Sequence, residues 1–348
     1  MPSPSRYVVD RSPHRKRLPT LVLALGLASA TACAGQSNAV LPGSSAEDPG
    51  TSTTAAATTL LRKWALTGRP VQHGLPKHGV FVVKVDNTDA AMPQVGLGSA
   101  DLITEELVEG GLTRLAVFYF TDLPPAVGPV RSMRASDIGI VKPADAVLVA
   151  SGAAPPTVRR LTSVGVVQKV DGAPGFYRAA DRPSPYNLML RLRTLVDRTP
   201  SKPPTRPYLP FGTGALPAGR QVTSMQAVFS PAHTTSWRYV KAKGWTRVSS
   251  LAAPGDDFVA DNVLVLRVRV GNAGYLDPGG NPVPETLFSG RGEAVLLHGD
   301  RAVTATWRKP SRAAQLQLST KSGRLLVPPG NTWIELVPAK SGQVSFGN

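Results

Sequence analysis

Apolar and polar positions along the chain change period several times, and the changes mark out elements. Val80-Phe81-Val82-Val83-Lys84-Val85 is a nearly continuous apolar run that stops at Asp86-Asn87. That is the pattern of a buried strand with a polar end. Leu102–Leu107 and Leu112–Phe120 flank Glu109-Gly110-Gly111 and predict two strands joined by a glycine turn. A helix over Asp101–Val108 fits the same residues as an alternative. Asp145–Ser151 and Val164–Val170 are strand-like. Pro155–Ser163 predicts a helix opened by Pro155-Pro156. Leu188–Val196 has the spacing of an amphipathic helix.

Beyond this alternation the pattern shifts. Thr199–Gly219 carries Pro200, Pro203, Pro204, Pro207, Pro210 and Pro217 and is expected to be a linker or long ordered loop. After it come short apolar segments cut by Gly and Pro: Val263–Val270, Ala294–Leu297, Ala302–Trp307, Leu316–Ser319 and Thr332–Val337. The fold class predicted is α+β: a mixed α/β domain at 66–198, a Pro/Gly-rich linker at 199–220, and a mainly antiparallel β domain at 221–338.

The N-terminus has a different character. Arg6, Arg11, Arg15, Lys16 and Arg17 precede an apolar stretch, Leu18–Ala32, that is short for a bilayer span. It ends in Ala30-Thr31-Ala32-Cys33, small residues before the single cysteine of the chain. Small side chains let an extended backbone enter a peptidase cleft, and a thiol is nucleophilic enough to accept a diacylglycerol. Residues 1–32 are therefore expected to be a lipoprotein signal peptide, with Cys33 as the lipidation site. Ala30 stands where Leu is commoner. Residues 33–65, rich in Ala, Ser, Thr, Gly and Pro up to Thr59, are expected to be the lipidated cysteine and a tether. The predicted location is extracytoplasmic, on the cell membrane.

One cysteine excludes intramolecular disulfides and any multi-cysteine metal site. The formal charge is +16. Removing residues 1–32 takes away five basic residues and one acidic residue, which leaves +12. Such an excess favours anionic envelope partners: phospholipid headgroups, wall polyanions or peptidoglycan carboxylates. Another envelope protein is the further partner class; no nucleic acid, cofactor or metal is expected. Patterns for a nucleophile elbow, a P-loop, a zinc protease helix and a dinucleotide fingerprint are missing. His73, His78, His233 and His298 are scattered singly.

The densest polar clusters lie in the first region. Asp86, Asn87, Glu109, Arg114, Arg131 and Arg134 sit at ends of apolar runs, where α/β sites form. Arg131 and Arg134 follow Gly128-Pro129 and suit a forked contact to carboxylate or phosphate. Arg178, Arg182 and Asn187 lie in a Pro-braced loop that could complete an anion pocket. The competing reading is that these charges pair with one another and fix loops. Trp307 and Trp333 are expected in the β core, with stacking on a sugar as the alternative.

Several motifs carry a family resemblance. Arg69-Pro70, Val85-Asp86-Asn87, Pro93-Gln94-x-Gly96-Leu97, Ala100-Asp101, Val108-Glu109-Gly110-Gly111-Leu112-Thr113-Arg114 and Gly128-Pro129-Val130-Arg131-Ser132 resemble the N-terminal domain of the YerB-like lipoproteins. Asp261-Asn262-Val263, Gly290-x-Gly292, Trp307, Gly323 and Pro329-Gly330-x-Thr332-Trp333 resemble their C-terminal domain. Together they cover most of 66–337. The resemblance implies a lipid-anchored envelope protein and no established reaction. The expected activity is binding an anionic cell-wall or envelope component; the alternative is a hydrolase or transferase acting on a wall or lipid-linked substrate. Pro185-Tyr186-Asn187 departs from the Pro-His-Asn expected of relatives, so any step that histidine performs would be lost here.

Overall fold

The computed structural model describes residues 63–348 apart from Pro278. The signal segment 1–32, Cys33 and tether residues 34–62 lie outside the described residues. Nineteen described strands and three short α-helices follow one another along the chain. The first region holds β1 (Phe81–Asp86), β2 (Leu102–Leu107), β3 (Thr113–Tyr119), α1 (Asp137–Val141), β4 (Val147–Val149), α2 (Pro155–Ser163), β5 (Gln168–Lys169), β6 (Phe176–Arg178), β7 (Leu188–Leu190) and α3 (Leu192–Asp197). The second holds β8 (Arg220–Gln221), β9 (Ser224–Ser230), β10 (His233–Val240), β11 (Gly244–Arg247), β12 (Asn262–Leu276), β13 (Pro282–Leu287) and β14 (Gly290–His298). It ends with β15 (Arg301–Lys309), β16 (Gln317–Thr320), β17 (Gly323–Arg324), β18 (Thr332–Pro338) and β19 (Gln343–Gly347).

One mixed sheet runs through both regions in the order β17-β16-β15-β14-β12-β18-β2-β3-β1-β4-β5. Its centre is the parallel pairing of β18 with β2, Thr332 opposite Leu102 through Leu336 opposite Glu106. β12 lies parallel to β18 on the other side, so the second region, antiparallel in most of its pairs, has one parallel seam. A second, antiparallel sheet has the order β11-β10-β9-β19.

Both faces of the large sheet are covered, which is why β1 and β18 are buried at every position and read as mostly apolar runs, broken only by Lys84, Asp86, Thr332 and Glu335. One face packs Val82, Leu102, Phe118, Leu264 and Ile334 under α1 and α2. The other packs Phe81, Val83, Ile103, Val117, Val263 and Trp333 under α3 and the small sheet. The predicted strand pair is β2–β3, joined at Glu109–Gly111 with Gly110 and Gly111 at φ 68° and 72°. A Cβ at Gly111 would sit 2.7 Å from Ser230 Oγ; glycine lets the end of β9 close onto the turn, and that hydroxyl donates to Gly111 O at 2.6 Å.

The structure corrects two elements. The expected helix 188–196 divides into β7 and α3, because Leu190 exchanges backbone hydrogen bonds with Val127 and β7 pairs with β6. Tertiary pairing overrides the helical spacing there. The strand expected over 164–170 contracts to Gln168–Lys169 at the sheet edge. Helix is therefore scarcer than the alternating pattern suggested.

A candidate ligand cleft over a buried glutamate

On a strand, successive side chains leave opposite faces, and β2 turns this into two separate polar clusters. Glu106 faces the helices. With Lys84 and Asp137 it forms a fully buried triad, Lys84 Nζ lying 2.6 Å from Glu106 Oε1 and 2.8 Å from Asp137 Oδ1. Burial would lower the Lys84 ammonium, but Asp137 and Glu106 outweigh it and raise it. Burial lifts Glu106 to about 7, with Lys84 pulling down and Asp137 pushing up. One lysine between two carboxylates leaves one negative charge, and proton uptake by Glu106 neutralises it.

Of the predicted site residues, Asp86, Glu109, Arg114, Arg131 and Arg134 lie near this triad and are engaged there, while Arg178, Arg182 and Asn187 belong to the separate β6–β7 loop. Asp86 takes Arg131 at 2.5 Å and the Thr88 hydroxyl at 2.6 Å. Glu109 takes Arg134 bidentately at 2.7 and 2.6 Å. Arg114 donates to Ser132 O at 2.9 Å; burial and the neighbouring Arg134 bring it down to about 10. Arg178 binds Asp171 and Asn187, and Arg182 donates to Pro93 O at 2.7 Å. Tyr186 lies under the Arg131 guanidinium, 5.0 Å from ring centroid to Cζ. Of the nine predicted residues, Asn87 alone lines the cleft described next.

Glu105 faces the small sheet. Its carboxylate is fully buried and accepts from Asn87 Nδ2 (3.0 Å), Thr113 Oγ1 (2.7 Å) and Thr235 Oγ1 (2.9 Å). His233 Nε2 lies 2.8 Å away. Arg247 approaches from β11, donating to Asn87 Oδ1 at 3.2 Å and Gln94 Oε1 at 2.9 Å. Its guanidinium stacks on Trp333 at 4.9 Å. Glu335 stands beside Glu105 on β18 and accepts from Trp237 Nε1 at 2.7 Å. Above this floor opens a cleft of about 280 Å³, lined by Asn87, Asp89, His233, Thr235, Ser236 and Arg247 among others.

The charges in the cluster are ordered. Burial alone would raise Glu105, but the His233 hydrogen bond and charge, the Thr113 hydroxyl and the Arg247 charge bring it below the ordinary carboxylate value. Burial would lower His233, yet Glu105 prevails and raises it. Burial and the charge of Glu105 push Glu335 well above 4.5, which favours its neutral form. Glu105 thus lies beneath two basic partners, His233 and Arg247, which line the cleft. Such an arrangement can hold an anionic group, and a histidine can exchange protons; His233 Nδ1 has no hydrogen-bond partner among the described residues. Among the described residues no group of three His, Cys, Asp or Glu is placed to hold a metal.

Sequence comparison divides the chain where this site joins it. Residues 66–205 match the profile described as "Protein of unknown function (DUF3048) N-terminal domain", and 225–334 match its C-terminal domain. The chain belongs to this two-part DUF3048 family. A relative in Bacillus subtilis (strain 168), named "Putative lipoprotein YerB", is 26% identical over 292 residues, 79% of this chain and 86% of its own. The crystal structure of YerB protein from Bacillus subtilis has the same fold, with a TM-score of 0.68 at 23% identity over 81% of this chain and 99% of that one. Both DUF3048 regions build the cleft and its floor: Asn87, Gln94, Glu105 and Thr113 come from the N-terminal one, His233, Thr235, Trp237, Arg247 and Trp333 from the C-terminal one, and Glu335 follows directly after it. Sequence reasoning passed over most of these. Taken singly, His233 looks like a loop histidine; in His233-x-Thr235-x-Trp237 the two-residue period puts three side chains on one face of β10.

Proposed function

We propose that this protein is held by lipid on Cys33 at the extracytoplasmic face of the cell membrane and binds an anionic envelope component in the cleft over Glu105. The anchoring rests on the basic, apolar, Ala30-Thr31-Ala32-Cys33 succession and on the word lipoprotein in the name of the relative. No helix among the described residues is long and apolar enough to cross a membrane, which fits attachment through the N-terminus. The observation that carries the binding function is the stacked, hydrogen-bonded Arg247 beside protonatable His233 at the floor of the cleft. A guanidinium held in place on an indole loses little entropy when it takes up a carboxylate or phosphate.

Titration of the mature chain with glycerol-phosphate oligomers and with muropeptides, followed by calorimetry, tests this. Saturable binding by one of them is expected. Arg247→Lys keeps the charge but loses the fork, and should weaken binding about tenfold, the equivalent of one charge-assisted contact. Equal affinity in the variant, or no saturable binding to either ligand, would remove the cleft from consideration. A second reading, hydrolase or transferase, is favoured by one feature: Glu105 holds the cleft-lining His233 through Nε2 and leaves Nδ1 without a partner among the described residues. Turnover of either ligand that is lost in His233→Gln would select that reading.

A further inference from the structure

At the end of the large sheet, away from the cleft residues in sequence, β5 is a two-residue edge strand. Beside it the surface is unusually apolar. Val158, Val164, Val167 and Val170 are 37, 41, 53 and 38% exposed, and among the described residues no other stretch of this length exposes four large aliphatic side chains. The residues around them are basic. Between Val158 and Arg198 the sequence has eight Arg or Lys against three Asp, an excess of five out of the mature chain's twelve. Arg159, Arg178, Arg191 and Arg193 are exposed.

The two features meet along the β5 edge, which α2 and α3 flank from opposite faces of the sheet. Thr162, one helical turn after Val158, accepts from Gln168 Nε2 of β5 at 3.0 Å. Lys169 is the next residue of that strand, and Asp171 just beyond it pairs with Arg178. Tyr177, adjacent to Arg178, lies under the Arg191 guanidinium at 4.3 Å. Arg191 and Arg193 bracket the start of α3. A continuous path of contacts therefore runs from the valines to the arginines.

We propose that this α2–β5–α3 surface docks the folded part of the protein onto the anionic headgroups of the bilayer to which Cys33 anchors it. The proposal builds on the anchoring read above, not on the cleft. The exposed valines select a bilayer over a soluble polyanion: a soluble polyphosphate gains nothing from them, whereas a membrane interface takes aliphatic side chains and attracts basic ones together. Residues 34–62 reach at most about 100 Å when extended, so the surface stays within range of the membrane throughout.

The test is hydrogen exchange on the full chain as matured by the cell, purified and placed in vesicles. Its intact mass first reports whether lipid is attached; an unlipidated chain would overturn the anchoring and is then simply mixed with the same vesicles. Vesicles of phosphatidylcholine with about three parts in ten phosphatidylglycerol are compared with pure phosphatidylcholine. Peptides covering 155–170 and 176–198 should be protected in the anionic vesicles only, while 301–324 at the far end of the sheet stays unchanged. Arg178→Gln, Arg191→Gln and Arg193→Gln together should lower the docking constant about a hundredfold, at roughly fivefold per charge, and abolish the protection. Val164→Ser with Val167→Ser should weaken it without touching salt dependence. Equal protection in both vesicle types, protection spread to 301–324, or the same protection from soluble polyphosphate without lipid would overturn the proposal; the last would reassign the surface to a polyanion.

Discussion

Glu105 and Glu106 are neighbours in the chain, both fully buried, and they do opposite jobs. Glu106 is closed in with Lys84 and Asp137 under α1. Glu105 is held by hydroxyls, an amide, His233 and Arg247 beneath an open cleft. The first cluster is self-satisfying in charge once Glu106 takes a proton, and nothing outside can reach it. The second keeps its carboxylate ionised by two cations, one of which is a titrating histidine at the mouth. The difference teaches that an acidic pair on a strand is two sites, not one, and that access separates structure from chemistry.

The closed cluster should be the more expensive to break. Lys84→Met leaves two buried carboxylates without their cation, and losing one partner of a buried ion cluster costs about 3–5 kcal/mol. Chemical denaturation should show that loss, with a fall in melting temperature of roughly 10 °C for a domain of this size. A smaller change would mean that the triad is wetter than its burial implies.

Glu105→Gln should cost about 2 kcal/mol, since the amide keeps some of the hydrogen bonds but not the charge. Its sharper signature is at His233. With Glu105 gone, burial governs and the imidazole should titrate below 6.5 rather than above it, as ring proton–carbon NMR would report. The raised His233 value contributes stability that is complete below pH 6.5 and is lost as pH rises through the folded value. The lowered Glu105 value contributes stability present above pH 4.5 and lost as pH falls through its folded value. The open pair is therefore strongest in mildly acidic solution.

The closed cluster has the opposite relation to its carboxylate. Glu106 is raised from 4.5 to about 7, so the folded state binds a proton that the unfolded state has released. Stability from this group falls as pH rises from 4.5 through 7. Glu106→Gln should flatten the denaturation midpoint across that window, the remaining slope coming from groups common to both proteins, Glu335 and His233 among them. An unchanged slope would place the proton elsewhere.

The smallest effect belongs to the predicted arginine cluster. Tyr186→Ala removes one half-exposed ring from Arg131 and should cost about 0.5–1 kcal/mol, measurable by the same denaturation. Because Arg131 keeps Asp86, cleft binding should not change.

Much of the fold was legible for a local reason. The β2–β3 pair is announced by apolar runs around Glu-Gly-Gly, and α2 by its two prolines; both are set by neighbours in sequence. The helix expected at 188–196 failed because its fate depends on Val127, sixty residues away. The cleft stayed hidden for the same cause. Asn87 stood out as a polar stop after a strand, but Glu105, His233 and Arg247 meet only when β10 and β11 pack across β2. The conspicuous arginines, Arg131 and Arg134, were already engaged by Asp86 and Glu109, residues close enough in sequence to be seen together.

The pairing of β2 with β18 joins residues 230 positions apart at the middle of the sheet. The chain is synthesised N-terminus first, so β2 emerges with one hydrogen-bonding edge bare and Glu105 without His233 or Arg247. That edge closes only after residue 338 has followed. Folding must then wait on the longest strand-pairing closure among the described residues, a slow step with an exposed strand in the interval. A chain cut short anywhere before β18 would present that edge to its neighbours and to proteases, so the fate of the large sheet rests on its late strand β18.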